Sequence, residues 1–394
     1  MAIAFSTLAR RGGSRPVPLA WRSLTANKRR LLRSSAGIGF AVLLMLMQLG
    51  FEGAFFNASL QVLRALDADI VLQSTHKYQF ATEDPIPTSV LASASAVAGV
   101  ASARPLYADW FGLFWKDPDD GKVYLVRGFG FDPDKPVFLF PEINAGRALL
   151  KQQDTVLVDR RARRFLGMDR TGGQSELNGT KVAIVGNFAL GPDFTSDGTV
   201  VMSAATFAAA MHGAAGNPPG MEAGLIKLSP GADRAMVLAA LKKSVPAEIA
   251  VMTKAQLIEK ERAFQADVSS AGPIFAIGTI VGFVVGMLIS YQIIFTEVSD
   301  QLPQYATLKA IGYPTVYLLR VVLEQAALNG ISGWVPAWLL SLGLYRLIGQ
   351  IALLPMRMSV EISLVSLALT LSMCLISAAI AVGRVIRTDP AAVF

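Results

Sequence analysis

Gly278-Thr279-Ile280-Val281-Gly282-Phe283-Val284-Val285-Gly286-Met287-Leu288-Ile289-Ser290 is the middle of a 29-residue run, Val268 to Thr296, that carries no charge. At ~1.5 Å of rise per residue, a helix of this length exceeds the ~30 Å hydrocarbon core of a bilayer. Three further uncharged runs follow the same rule: 18 residues between Arg33 and Glu52, 21 between Glu324 and Arg346, and 22 between Glu361 and Arg384. One such run could be a buried helix of a large soluble core. Four of them in a chain that is 53% hydrophobic describe a membrane protein with four transmembrane α-helices. Gly278, Gly282 and Gly286 fall four apart on one helix face, where the missing side chains let another backbone approach. They predict tight helix packing, within the chain or across a dimer.

The cations orient the spans. Arg10, Arg11, Arg15, Arg22, Lys28, Arg29, Arg30 and Arg33 precede the first run with no acid among them, so the amino terminus is expected in the cytoplasm. Four spans return the carboxyl end to the same side, and Arg384 and Arg387 agree with that placement. The formal net charge is +7, and residues 34–394 contribute −1 of it. The basic excess is thus a juxtamembrane feature suited to anionic membrane lipids, and no basic surface remains for nucleic acid.

Residues 57–269 lie between the first two spans and are expected outside the cytoplasm. Apolar runs at Ile70–Leu72, Leu113–Trp115, Val123–Val126, Val156–Val158, Val182–Val185, Val200–Met202 and Leu225–Leu228 alternate with helical stretches near Ser203–His212 and Ala232–Val245. This predicts a large α+β domain. Leu60, Leu63 and Leu66 extend the first helix past its span. Thr253 and Gln256 make a capping box before Leu257, Glu261, Phe264 and Val268, so a second helix is expected to lead back to the membrane. The two helices would act as stalks. Residues 17–32 read either as an amphipathic helix in the headgroup layer or as a plain lead-in to the first span.

Catalytic chemistry has no foothold. Gly121-Lys122 is followed by Val123 and lacks the earlier glycine of a nucleotide-binding loop, and no serine elbow or zinc-protease helix occurs. Asp117-Pro118-Asp119-Asp120-Gly121 places glycine where a calcium loop needs a ligand, so it reads as a hairpin turn. With one cysteine, Cys374, and two histidines, His76 and His212, neither an intrachain disulfide nor a histidine metal site is expected. Arg10-Arg11 is not followed by the short cleavable apolar region of an export signal. In the third run the polar residues are Gln325, Asn329 and Ser332, beside Gly330, Gly333 and Pro336. No ionisable group marks a midplane solute site.

Between the second and third spans, Pro303 suits the first turn of a short helix and Gly312 its left-handed terminator. The segment is either a rigid helix that passes force from a cytoplasmic partner or an amphipathic surface loop. Here the sequence resembles a known family. Tyr291-Gln292-Ile293 and Asp300-Gln301-Leu302-Pro303-Gln304-Tyr305-Ala306-Thr307-Leu308-Lys309-Ala310-Ile311-Gly312-Tyr313 closely resemble the DevC family of permeases, within the FtsX/MacB-like class of ABC transporters. So do Pro18-Leu19-Ala20-Trp21, Met47-Gln48-Leu49-Gly50-Phe51, Gly130-Phe131-Asp132-Pro133-Asp134-Lys135-Pro136-Val137-Phe138 and Asp389-Pro390-Ala391.

The resemblance implies an FtsX/MacB-like permease fold and a homodimeric permease subunit of the bacterial inner membrane, both termini cytoplasmic. Its partners would be a cytoplasmic ABC ATPase dimer that binds ATP and Mg, a second copy of itself, a periplasmic membrane-fusion (adaptor) protein and a TolC-like outer-membrane channel. The cargo would be a lipid, glycolipid or other amphiphile. Two alternatives remain open: a mechanotransducer that activates a periplasmic enzyme, and a lipoprotein-extraction permease. Leu302, Pro303, Gln304, Tyr305, Ala306, Thr307, Leu308, Lys309, Ile311 and Gly312 would form the coupling helix on the ATPase. Gln304 stands where many relatives carry Glu. The expected division is a basic segment (1–33), first span (34–56), periplasmic domain with stalks (57–269), second span (270–296), coupling loop (297–315), third span (316–347), periplasmic loop (348–360), fourth span (361–383) and tail (384–394).

Overall fold

A computed structural model describes residues 28–168, 171–212, 220–269 and 271–387. Most of the expected headgroup helix over 17–32, and the expected Asp389-Pro390-Ala391 segment, lie outside the described residues. The chain forms two compact units, one of residues 1–50, 275–345 and 358–394, the other of residues 51–274 and 346–357.

Among the described residues, four long helices supply the first unit, Lys28–Ala65, Ala271–Asp300, Thr315–Ala352 and Val360–Arg387, each with a stretch long and apolar enough to cross a membrane, and parts of the first three belong to the second unit. Ile38, Val42, Met45 and Leu46 of the first helix, Ile294 and Val298 of the second, Val322 and Ala326 of the third, and Met373, Ala378 and Ala381 of the fourth close its core. The glycine ladder is turned inward. A Cβ added at Gly278 would collide with the Gln48 side chain, one at Gly282 would meet Met45 Cγ at 3.0 Å, and one at Gly286 would meet Met373 Sδ at 2.6 Å and Ala41 Cβ at 3.0 Å. The glycines therefore seat the second helix on Ala41, Met45 and Gln48 of the first. The opposite face, with Ile277, Ile280, Val281, Val284 and Leu288, is exposed apolar surface. The first and third helices cross where the Ser35 and Ser332 hydroxyls lie 2.9 Å apart and a Cβ on Gly39 would meet Gly333 O at 3.1 Å.

The second unit is an inserted α+β domain with nine strands among the described residues: β1 Ile70–Ser74, β2 Val100–Lys116, β3 Val123–Phe131, β4 Thr155–Asp159, β5 Gln174–Leu177, β6 Thr180–Phe188, β7 Thr199–Ser203, β8 Ala223–Leu228 and β9 Ile249–Thr253. The first half of β2 joins an antiparallel set, β2-β8-β1-β9. Its second half joins a ring, since β3-β7-β4-β6-β5-β2 closes through the β2–β3 pairing. A bulge between Asp109 and Leu113 lets one 17-residue strand serve both, and the Asp109 carboxylate accepts from Phe111 N at 3.1 Å to hold it. The Asp117–Lys122 turn closes the β2–β3 hairpin, with Gly121 at φ +73 and Gly121 N donating to Asp117 O.

Both expected leads between domain and spans form, but differently. The first helix continues without a break to Ala65. The second begins at the Thr253 capping box, widens into a π turn at Phe264–Val268 and stops at Ser269, whose backbone is extended. Pro273 has no N–H to donate to the carbonyl of Ser269, so the backbone ladder is interrupted where the chain enters the next helix. The next helix starts afresh at Ala271 and runs to Asp300; the third helix runs to Ala352.

Candidate coupling site and helix anchor

The segment after the second helix folds as the proline and glycine dictate. Gln301 N donates to Glu297 O at 3.2 Å, Tyr305 N donates to Gln301 O at 3.0 Å, and a nine-residue helix spans Leu302–Ala310. Gly312, at φ +105 with nothing near its missing side chain, reverses the chain toward the third helix. Thr307 Oγ1 donates to Pro303 O at 2.9 Å, and Pro303, Gln304 and Thr307 are exposed. The side chains of Ala306, Leu308 and Lys309 lie outside the described residues. Ile311 is 71% exposed and stands beside exposed Tyr313 and Val316, so the end of the short helix offers apolar surface outside the spans.

Tyr305 turns the other way. Its hydroxyl donates to Gln301 Oε1 at 2.7 Å and lies 3.4 Å from Gln325 Oε1, while Gln325 Nε2 donates to Gln301 Oε1 at 3.3 Å. One turn along, Asn329 Nδ2 donates to Glu297 Oε2 at 2.9 Å, and the Ser34 hydroxyl faces Asn329 Oδ1 at 3.5 Å. Ser34, Glu297, Gln301, Gln325 and Asn329 are all buried. Buried polar groups are costly unless bonded, so these contacts fix one arrangement of three spans and the short helix. Tyr305, expected among the coupling residues, lies on this helix with its hydroxyl toward the spans, and Glu297, Gln301 and Ser34 were not among the expected site residues. The four-residue spacing of Glu297, Gln301 and Tyr305, matched by Gln325 and Asn329, was the available signal.

In the inserted domain, a second cluster receives the end of the first helix. Lys254 Nζ donates to Arg64 O at 2.7 Å and Leu66 O at 2.6 Å, placing a cation on the negative end of the helix dipole. Burial pushes the Lys254 amine below its ordinary value. Arg104 donates to the carbonyls of Asp67 and Pro136, and its guanidinium lies 3.2 Å from Asp67 Oδ2, with Lys227 Nζ 2.7 Å from Oδ1. Burial alone would raise the Asp67 carboxyl, but bonds from Lys227 and Arg104 outweigh it and hold it below its usual value. The Gly130–Phe138 stretch has its place here. Lys135 N donates to Asp132 O at 2.8 Å in a tight turn, after which Leu139 N bonds Ala65 O at 2.7 Å and Asp67 N bonds Val137 O at 2.8 Å. Val137 and Phe138 are buried in an aromatic core with Trp110, Phe129 and Phe131.

Two buried ion pairs brace that core. Arg127 Nη1 is 2.6 Å from Asp193 Oδ2, with its guanidinium over the rings of Trp110 and Phe129, and Lys77 pairs with Glu222. Among the described residues no group of three His, Cys, Asp or Glu side chains could hold a metal.

The described residues form four long apolar helices, an α+β domain inserted after the first and a short helix after the second. Residues 275–390 match the family model described as FtsX-like permease C-terminal. No curated protein matches the chain. Among solved structures, the periplasmic region of MacB from Actinobacillus actinomycetemcomitans is 11% identical, covering 52% of this chain and 97% of its own, with a TM-score of 0.36. The extracellular domain of the noncanonic ABC-type transporter YknZ from Gram-positive bacteria is 10% identical, covering 47% and 98%, with a TM-score of 0.30. A domain of a putative permease from Porphyromonas gingivalis is 16% identical, covering 47% and 86%, with a TM-score of 0.31.

Proposed function

We propose that this chain is the DevC-type permease subunit of an ATP-driven tripartite export system in the bacterial inner membrane, with both termini cytoplasmic. Two copies pair with two copies of a separate ABC ATPase, which binds ATP and Mg. The helix Leu302–Ala310, with Ile311 and Tyr313, seats on that ATPase. Its movement passes to the spans and, through the unbroken first helix and its Arg104–Lys254 anchor, to the inserted domain in the periplasm. That domain hands a lipid, glycolipid or other amphiphile to an adaptor protein and a TolC-like channel.

The observation that carries this reading is the short helix after the second span, which faces outward with Ile311 and inward with Tyr305. A force-bearing element needs both a docking surface and a grip on the spans. The sequence holds no recognisable nucleotide-binding loop, so this reading assigns ATP hydrolysis to a partner subunit.

The test is purification of the full-length chain from native membranes under mild detergent, with an assay of ATP hydrolysis and identification of the bound subunits. An ABC ATPase and an adaptor with a long coiled-coil hairpin are expected. A preparation without a nucleotide-hydrolysing subunit defeats the permease reading, and a cell-wall hydrolase in place of the adaptor defeats export.

A further inference from the structure

The packing of the first long helix on the second changes along their length. A Cβ on Gly286 would meet Ala41 Cβ at 3.0 Å, and one on Gly37 would meet Ile289 Cγ2 at 3.2 Å and Ile293 Cδ1 at 3.3 Å, so the helices are in close contact at Ala41 and Gly37. One turn nearer the short helix they leave a cavity of about 380 Å³, lined by Arg33 and Ser34 of the first and by Gln292, Thr296, Glu297 and Asp300 of the second. Ser34 and Glu297 are buried and bonded, Ser34 to Leu31 O and Glu297 by Asn329 Nδ2, and they make the inner wall. Arg33, Gln292, Thr296 and Asp300 are exposed and make the rim.

The rim carries both signs of charge. Arg33 Nε donates to Arg29 O at 3.4 Å, and among the described residues neither Arg33 nor Asp300 forms an ion pair, with the other or with a third side chain. Exposed apolar surface continues from the rim along both helices: Phe40 and Leu44 follow Arg33 and Gly37 at helical spacing, and Leu288 and Val284 precede Gln292 at four-residue intervals.

We propose that this cavity seats the headgroup of a zwitterionic aminophospholipid, a diacyl lipid with one phosphate and one primary ammonium, whose acyl chains lie on Phe40, Leu44, Val284 and Leu288. The Arg33 guanidinium presents a fork of N–H donors to the phosphate. The ammonium has three donors to place, and the Asp300 carboxylate, Gln292 Oε1 and Thr296 Oγ1 are acceptors on the same rim. A cation alone would draw any anionic lipid. Asp300 and Glu297 change that choice, because a headgroup without an ammonium would set a further negative charge beside two carboxylates. A soluble phosphate compound would occupy the polar rim and leave the apolar track uncovered. The site goes beyond the transport reading: it concerns a bound lipid where the short helix begins, and needs neither an ATPase nor a cargo.

The test transfers the full-length chain into mild detergent from vesicles of equal parts phosphatidylethanolamine, phosphatidylglycerol and phosphatidylcholine with the same acyl chains. Native mass spectrometry counts the lipid retained per protomer. The parent should retain phosphatidylethanolamine over each of the others by about two- to fivefold, the range of an exposed charge pair. Asp300→Asn should erase that advantage, Asp300→Lys should reverse it in favour of phosphatidylglycerol, and Arg33→Gln should lower retention of all three lipids. Glycerophosphoethanolamine, the same headgroup without acyl chains, should not displace the retained lipid even in large excess.

Equal retention of the three lipids by the parent overturns the site, as does a preference that survives both Asp300 variants unchanged. Displacement by glycerophosphoethanolamine overturns a lipid as the occupant. A dimer that retains no lipid overturns it in favour of a second copy of the chain on this face. None of these outcomes requires a nucleotide-hydrolysing partner, so failure here is separate from failure of the permease reading.

Discussion

Where the first helix ends in the inserted domain, Arg104, Lys227 and Lys254 converge on the Asp67 carboxylate and on four backbone carbonyls. Where the short helix Leu302–Ala310 meets the spans, Tyr305 and Gln325 both donate to the Gln301 side-chain oxygen, and Asn329 donates to the Glu297 carboxylate. Charged bonds resist exchange, since moving one partner leaves the other buried and unpaired at a cost of about 3 to 5 kcal/mol. Neutral ones exchange at about 1 kcal/mol each. The joint in the inserted domain is built mainly from the first kind, and the joint at the short helix mainly from the second.

The largest effect should come from breaking the charged joint. Arg104→Met removes the guanidinium from two carbonyls and from Asp67, and should destabilise the inserted domain by about 3 kcal/mol, read as denaturant unfolding of the full-length chain followed by tryptophan fluorescence. A loss no larger than that of a surface lysine would erase the distinction between the joints. Next is the packing of the spans themselves. Gly286→Leu drives a side chain into Met373 and Ala41 and should cost about 1 to 3 kcal/mol by overpacking. Thermal unfolding in detergent reads the loss, and Gly343→Leu, where an added Cβ meets nothing, should be neutral in the same measurement.

A smaller effect sits at the start of the second lead. Thr253→Ala removes the cap on Gln256 N and should cost about 1 kcal/mol in domain unfolding. The smallest concerns pH. Burial raises the Glu222 carboxyl above its ordinary value, against the opposing charge of Lys77. The native chain then holds a proton in a window where the unfolded chain has lost it. The resulting stability is full below the ordinary glutamate value and lost as pH rises through the native one. Glu222→Gln should flatten that fall, and an unaltered slope of unfolding free energy against pH would show that Glu222 does not titrate there.

Much of this arrangement is written locally. The four uncharged runs, the capping box at Thr253, the Asp120-Gly121 turn and the stops at Pro303 and Gly312 each depend on a few adjacent residues, and each is read directly from sequence. The ring of strands is not, because its parallel pairings, β3 with β7 and β4 with β6, join segments far apart in the chain. β2 is legible only in part, since its bulge at Asp109–Leu113 breaks the alternation that would reveal one long strand. The polar cluster beside the short helix stayed hidden for a different reason. Glu297 looks like the charge that ends a span, and only the facing helix shows that it is buried against Asn329.

Two equally exposed apolar side chains give the most direct test of the account: Ile311 at the end of the short helix and Met236 on the inserted domain, each 71% exposed. A photo-crosslinking residue at either position, in the full-length chain in living cells, reports what each surface touches. The account predicts that position 311 captures a nucleotide-hydrolysing subunit and position 236 does not. Capture of that subunit at 236, or its absence at 311 while the chain still accumulates in the membrane, would contradict it.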